Sequence, residues 1–324
     1  MKKILITGAG GFIGSHLTEL CAARGYKVRA FVHYNANNHW GWLEHSPHKG
    51  KLEVVCGNIR DYDFVFNSMK GCDAVFHLAA LIGIPYSYIS PLAYIKTNVE
   101  GTYNVVQSAK ELGVKNVIIT STSETYGTAQ YVPIDEKHPA VGQSPYAASK
   151  IAADQIALSY YRAYGLPVKV ARPFNTYGPR QSARAIIPTI ATQILNGQSA
   201  IKLGNLKPTR DLTFVKDTAE GFLAVAACSA LNGEAVNIGR NDEVSVGDLA
   251  ALIAGALNKK VRITEDAQRV RARKSEVERL RCDNAKMTQA TSWKPKYDLT
   301  RGLKETIGWI KKNLNLYKAE IYNV

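Results

Sequence analysis

Tyr146 and Lys150 stand four residues apart in Tyr146-Ala147-Ala148-Ser149-Lys150, directly after Pro145. If a helix begins there, the spacing puts both side chains on one face. An ammonium beside a phenol favours the phenolate, so the pair can make a base that works near neutral pH. A second cluster carries chemistry in its backbone. Thr7-Gly8-Ala9-Gly10-Gly11-Phe12-Ile13-Gly14 follows the apolar run Ile4–Thr7 and opens an amphipathic stretch, Phe12–Arg24. Glycines at 8, 11 and 14 let the chain turn sharply, let main chain approach a pyrophosphate and let helix pack on strand. The first amides of the helix then face the phosphates, and this strand–turn–helix setting gives the spacing its meaning as a dinucleotide site.

The adenosine end of such a site is read at the close of the second strand, where a carboxylate selects NAD by bonding the ribose 2′-hydroxyl. Here the chain reads Phe31-Val32-His33-Tyr34-Asn35, with no carboxylate. His33 and the asparagines suit a 2′-phosphate, which favours NADP over NAD. Asn58-Ile59-Arg60-Asp61, after the third strand, is expected near the adenine, with the Asn58 amide accepting from its amino group.

Those residues need a scaffold. β-rich runs at Ile4–Thr7, Val28–Val32, Leu52–Cys56, Ala74–Leu78, Val117–Thr120 and Val168–Ala171 alternate with helical patterns, notably Pro91–Leu112 and Pro145–Tyr164. The alternation predicts an α/β fold, a Rossmann-type doubly wound parallel sheet covered on both faces. Beyond about residue 175 the rhythm loosens, with prolines at 179, 188 and 208 and shorter helices at Ser245–Leu257 and Leu299–Asn313. Residues 1–175 are therefore expected to form the NAD(P)-binding domain, rejoined by about 211–240. Residues 176–324 form mainly a smaller mixed α/β lobe.

Composition removes other classes. The chain has 324 residues, 46% hydrophobic and 21% charged, enough for a full core without disulfides or metals. The apolar start breaks at Gly8, Gly10 and Gly11 before a cleavage site can form, and no apolar run is long enough to span a membrane. Cys21, Cys56, Cys72, Cys228 and Cys282 form no CxxC pair and no zinc spacing, which reads as reduced cytoplasmic thiols and no metal. The net charge of +14 is spread along the chain, with one dense run from Arg269 to Arg281 interrupted by Glu276 and Glu278. Without a helix-turn-helix, zinc-finger or RNP pattern, this suits a nucleotide rather than nucleic acid.

Several segments together resemble the extended short-chain dehydrogenase/reductase family, specifically its nucleotide-sugar epimerases and dehydratases. They are TGAGGFIG, FHLAA, the NxxGT of Asn98–Thr102, YxxxK, ARPFNTYGP and RDLTFVKD, in the family's order over nearly the whole chain. The resemblance implies a cofactor on Gly8, Gly11, Phe12, Ile13, Gly14, His33, Asn58, Ile59, Leu78, Ala79 and Ala80, with Tyr146 and Lys150 beside it. Glu124, within Ser121-Thr122-Ser123-Glu124-Thr125-Tyr126-Gly127, separates the activities. Epimerases of the family usually carry a non-acidic residue there. Dehydratases carry glutamate, as do the decarboxylases that make UDP-xylose. dTDP-glucose dehydratases have aspartate before it, whereas Ser123 here matches the Thr-Ser-Glu of GDP-mannose 4,6-dehydratases.

The segments around Tyr34, Trp40-Gly41-Trp42, Ile84-Pro85-Tyr86 and Arg180–Pro188 resemble the legionaminic-acid-pathway 4,6-dehydratases, which act on UDP- or GDP-N-acetylglucosamine. By resemblance, Thr122, Ser123, Glu124, Tyr146 and Lys150 are catalytic. Pro85, Asn175, Arg180, Arg210, Arg271 and Glu276 meet the nucleotide-diphosphate sugar, guanidinium forks suiting its phosphates. A homodimer through residues 91–112 and 146–164 is implied, with Tyr160, Tyr161 and Tyr164 on its surface. The competing readings are a nucleotide-sugar decarboxylase, which needs a cation for the carbon 6 carboxylate, and a 4-epimerase, disfavoured by Glu124. A cofactor-binding sensor without catalysis is opposed by Tyr146, Lys150 and Glu124.

Overall fold

Consecutive apolar residues make strand β1 (Lys3–Thr7) a fully buried one: Ile4, Leu5 and Ile6 have no exposed surface. Such a strand needs cover on both faces, as parallel sheets provide. The computed structural model describes residues 1–270 and 272–322. In it β1 joins β2 (Lys27–His33), β3 (Leu52–Gly57), β4 (Ala74–His77), β5 (Val117–Thr120), β6 (Val168–Pro173) and β7 (Ala235–Ile238). The seven strands run in the order β7-β6-β5-β4-β1-β2-β3, and every pairing is parallel. The build reverses between β1 and β4, and open sheets of this kind bind ligands in the crevice beyond the strand ends at that point. The doubly wound parallel sheet expected from the alternation is borne out.

Alternation along the strands divides the core. Ile4 and Ile6 point to one face, where they meet Leu17 and Cys21 of helix α1 (Phe12–Ala23) together with Phe222 and Val225. Leu5 points to the other, with Val65 and Met69 of α2 (Tyr62–Met69), Val105 and Ala109 of α3 (Gly101–Glu111) and Ala157 of α4 (Pro145–Tyr164). Helix α5 (Val215–Ala227), which carries Phe222, and β7 return to this sheet from late in the chain. A third core, with Tyr177, Ile187, Leu203, Phe214, Ile253 and Ile307, holds the lobe. Its strands are short, among them Asn175–Tyr177 beside Leu212–Phe214, and Thr209–Arg210 between Val244–Ser245 and Arg279–Leu280.

Two expectations need correction. Strand β4 stops at His77: the Leu78 N–H makes the last bond to Thr7 O at 3.2 Å, shared with the Thr7 hydroxyl, and the Ala79 N–H turns to that hydroxyl. The helix expected over Pro91–Leu112 has three parts: Pro91–Tyr94, a π-helical stretch Ile95–Glu100, and α3. The widened turn places buried Asn98 inward. Its amide oxygen accepts from Leu81 N at 2.9 Å, and its nitrogen donates to Leu81 O at 3.0 Å and Ser149 Oγ at 2.9 Å. Such turns recur at functional sites, and this one ties the loop after β4 to α4.

Candidate active site

One cleft of about 1130 Å³ runs along the carboxyl ends of the strands and on between sheet and lobe. Gly8, Gly11, Phe12, Ile13 and Gly14 line one end. Gly8 sits at φ +69°, and a Cβ there would lie 2.8 Å from Ala79 N; one on Gly14 would lie 2.1 Å from Gly8 O. Helix α1 begins with no side-chain cap on Gly11. Its first amides are thus open to an anion, and the cradle that glycine leaves fits a dinucleotide pyrophosphate. Leu78, Ala79 and Ala80 form the facing wall, held where Thr7 Oγ1 accepts from the N–H groups of Leu78 and Ala79, each at 3.2 Å. His77 Nδ1 meets the same hydroxyl at 2.8 Å. Burial, and then the nearby Lys150 charge, lower the His77 pKa to about 3, so it is a neutral brace.

Further along, the cleft is lined by His33, Asn35, His39, Trp40, Asn58, Ile59 and Arg60. The Asn58 amide oxygen is engaged within its own turn, accepting from Arg60 N at 3.1 Å and Arg60 Nε at 3.2 Å. This turn holds Asn58 and Arg60 together at the cleft wall. Trp40 lines the cleft with Lys49 over its ring at 4.8 Å, whereas Trp42 packs edge-on against Trp309 at 5.3 Å.

The middle of the cleft brings together Thr122, Ser123, Glu124, Tyr146 and Lys150. Ser144 caps α4 by accepting from Ala147 N at 3.1 Å, and Pro145 fills the first turn. This fixes Tyr146 at the helix entrance with Lys150 one turn on. Lys150 Nζ donates to Thr120 O at 2.5 Å, joining α4 to the end of β5. Burial lowers the Lys150 pKa, and Asp154 pulls it back up. Burial raises the Tyr146 phenol well above its usual 10; a hydrogen bond with Thr122 opposes this, while Glu124, Tyr94 and Asp154 add to it. Glu124 lies on the turn Ser123–Tyr126, which Thr122 caps by accepting from Glu124 N at 3.2 Å. It is 9% exposed, and its carboxylate shares the cleft with the phenol.

At the far end the cleft is lined by Asn175, Arg210 and Glu276, with Pro85 on the side of the β4 loop. Arg210 pairs with Glu276 at 3.4 Å. Its neighbour Asp211 fixes that strand by accepting from the N–H groups of Arg240, Asn241, Asp242 and Cys282 at 2.9 to 3.3 Å. Burial raises the Asp211 pKa to about 6 against those bonds. Asn175 Oδ1 is buried with no hydrogen-bond partner among the described residues, which suits a donor on a bound molecule. Arg180 does not line the cleft. Its backbone is left-handed at φ +72° and its guanidinium pairs with Glu19 of α1 at 3.0 Å. Arg271 lies outside the described residues.

Beyond Arg60, two guanidinium side chains outside the expected site residues line the cleft, Arg184 and Arg269, as does Gln181. The signal for Arg269 was the density of the basic run it opens, and for Arg184 its place in the segment Arg180–Pro188. Among the described residues no cluster of His, Cys, Asp and Glu could hold a metal ion, and no helix is long and apolar enough to cross a membrane.

A family model described as GDP-mannose 4,6 dehydratase matches residues 5–306. A dTDP-glucose 4,6-dehydratase of Streptomyces antibioticus is 32% identical over 315 residues, covering 96% of this chain and 93% of its own. A UDP-N-acetyl-alpha-D-glucosaminuronate decarboxylase of Bacillus cytotoxicus is 32% identical over 322 residues, covering 96% of this chain and 98% of its own. Among solved structures, the dTDP-glucose 4,6-dehydratase DesIV of Streptomyces venezuelae, determined with NAD bound, is similar at a TM-score of 0.88 and 30% identity. The match covers 98% of this chain and 99% of that one.

Proposed function

The chain belongs to the NAD-dependent epimerase/dehydratase branch of the short-chain dehydrogenases/reductases, and within it we propose a nucleotide-sugar 4,6-dehydratase acting on UDP- or GDP-N-acetylglucosamine. The observation that carries the reading is Glu124: an acid–base carboxylate on the same turn whose capping residue, Thr122, bonds the Tyr146 phenol.

A nicotinamide dinucleotide on the glycine loop supplies a hydride acceptor for carbon 4 and later a donor for carbon 6, and its oxidised ring carries a positive charge that favours the phenolate. Tyr146 takes the proton of the sugar 4-hydroxyl, helped by the Lys150 ammonium, while Thr122 steadies the same oxygen. The 4-ketone so formed acidifies the hydrogen on carbon 5, which Glu124 removes as a proton. The electron pair of that bond moves towards carbon 6 and expels its hydroxyl, protonated by Glu124 or through Ser123, as water. Tyr146 and Thr122 hold the ketone oxygen throughout. With the hydride on carbon 6, carbon 5 takes back one solvent-exchanged proton, which balances the one Tyr146 took from the 4-hydroxyl; the products are a 4-keto-6-deoxy sugar and water, carbon 4 oxidised and carbon 6 reduced with no net external oxidant.

We propose NADP rather than NAD as the resident cofactor. His33, Asn35, His39 and Arg60 line the adenosine end, and the only carboxylates among the described lining residues are Glu124 and Glu276, both elsewhere in the cleft. A 2′-phosphate suits that charge and a bare diol lacks its usual carboxylate partner. Tighter binding of NADP than NAD to cofactor-stripped protein, read by calorimetry, is the expected result. We take residues 1–175 with 211–240 as the cofactor domain and the rest as the lobe for the nucleotide sugar.

A cytoplasmic homodimer is the assembly we propose. All five cysteines are free, and Ile89, Leu92 and Ile95 before α3, Tyr103 on α3 and Tyr161 and Tyr164 on α4 are exposed large apolar side chains. Tyr160 is not part of that surface; it is buried, its hydroxyl donating to Gln107 Oε1 at 2.6 Å. Sedimentation should give twice the chain mass.

The activity test is incubation with UDP- and GDP-N-acetylglucosamine, followed by proton NMR. A new carbon 6 methyl signal from one of them is expected. Turnover of UDP-glucuronate with loss of carbon dioxide, or inversion at carbon 4 alone, would replace this reading with the decarboxylase or the epimerase.

A further inference from the structure

The reaction as described leaves unused an ion pair beneath the catalytic helix. Tyr146, Lys150 and Asp154 repeat at every fourth position of α4, so one face carries all three. Asp154 is 2% exposed, and Arg172 of β6 is 8% exposed. Arg172 Nη2 donates to Asp154 Oδ2 at 2.8 Å, and Ser121 Oγ donates to the same oxygen at 2.6 Å. Arg172 Nη1 donates to Tyr126 OH at 2.7 Å, and Tyr126 OH donates to Asn237 Oδ1 at 2.7 Å. Ser121 and Tyr126 flank Thr122 and Glu124 in the chain, so the network grips both sides of the segment that carries them. A buried ion pair gains little net stability, because desolvation offsets the attraction. Its place, one helical turn from Lys150, has a consequence for the charges above it.

We propose that Asp154 and Arg172 are positioning residues of opposite sign that set the proton affinities of the Tyr146–Lys150 couple and hold the Thr122–Glu124 turn against it. The proposal rests on reading Tyr146 and Lys150 as the acid–base couple. The Asp154 carboxylate favours the Lys150 ammonium and disfavours the phenolate; the Arg172 guanidinium does the reverse. The other groups facing the couple stay constant. They are Glu124 on the turn after β5, Tyr94 on the Pro91–Tyr94 helix and neutral His77 on β4. Glu136 faces Arg172 and Tyr126 from the loop before α4.

The test is the pH dependence of kcat for the cofactor-loaded enzyme as Asp154→Asn, as Arg172→Met and as the double variant. Asp154→Asn should move both limbs to lower pH by about one unit, and Arg172→Met should move both to higher pH by a smaller amount, since the guanidinium reaches the couple from β6 and Asp154 shares its helix face. In the double variant, which buries no unpaired charge, the limbs should lie between those of Asp154→Asn and the wild type. Its kcat should still be down about tenfold with KM unchanged, because the turn has lost its grip. Single variants that fold and keep wild-type limbs overturn the electrostatic role. If the single variants do not fold, the double variant decides: wild-type kcat in a folded double variant overturns the proposal. No turnover by the wild type on any nucleotide sugar would instead count against the activity itself, so the two failures are distinguishable.

Discussion

The two ends of the cleft are made of different parts of the amino acid. At the glycine loop the surface is main chain, and a single Cβ on Gly14 would sit 2.1 Å from Gly8 O. At the far end the surface is side chain, and its charges come from separate segments: Arg184, Arg210, Arg269 and Glu276. A main-chain site is local and nearly all-or-none. A site of side chains is assembled from distant elements, and each member contributes a share. Between them, Tyr146 on a helix meets Glu124 on the turn after a strand.

Four substitutions probe this contrast, beginning with the largest effect. Tyr146→Phe removes the phenol proposed to take the 4-hydroxyl proton, and kcat should fall by about 10³ to 10⁴ with cofactor affinity unchanged. Gly14→Ala should weaken cofactor binding by about 100-fold or more, read by calorimetry on stripped protein, since the clash is with backbone that cannot step aside. Arg210→Met should raise KM for the nucleotide sugar by about ten- to thirtyfold and leave kcat within about threefold, the loss expected of one charged hydrogen bond among several. A loss at Arg210 as complete as that at Gly14 would break the contrast. Arg24→Ala removes an ion pair in which Nη2 donates to both Glu220 oxygens and which ties the end of α1 to α5 on the surface. Denaturant unfolding should show a change of no more than about 0.5 kcal/mol, because solvent screens the pair.

The same contrast explains what could be read from the sequence. The glycine loop could be read because eight consecutive residues specify its turn, and YxxxK because one helix holds both members. Strand alternation gave the sheet, since buried strands keep their apolar period whatever follows them. The nucleotide end was legible only in part, because loop side chains follow no period. Arg180 and Arg184 lie four residues apart in one loop, yet the left-handed backbone of Arg180 sends it to Glu19 while Arg184 reaches the cleft. Asn58 looks like a free amide in sequence, but a two-residue turn commits its oxygen to Arg60. The π-helical turn at Asn98 replaces a regular helix because three hydrogen bonds to Leu81 and Ser149 hold that amide inside. Tyr160 is buried where Tyr161 and Tyr164 are exposed, a matter of rotation about α4 that composition does not show.

The central claim is that Glu124 is the base that acts after Tyr146 has begun the oxidation. Its most direct test is a single turnover of Glu124→Gln in deuterated water, following reduced nicotinamide by absorbance and the sugar by NMR. The account predicts that reduced cofactor accumulates, that deuterium does not enter carbon 5 and that no carbon 6 methyl signal appears. The wild type should show both the deuterium and the methyl. Methyl product formed by Glu124→Gln at a rate near that of the wild type would contradict it.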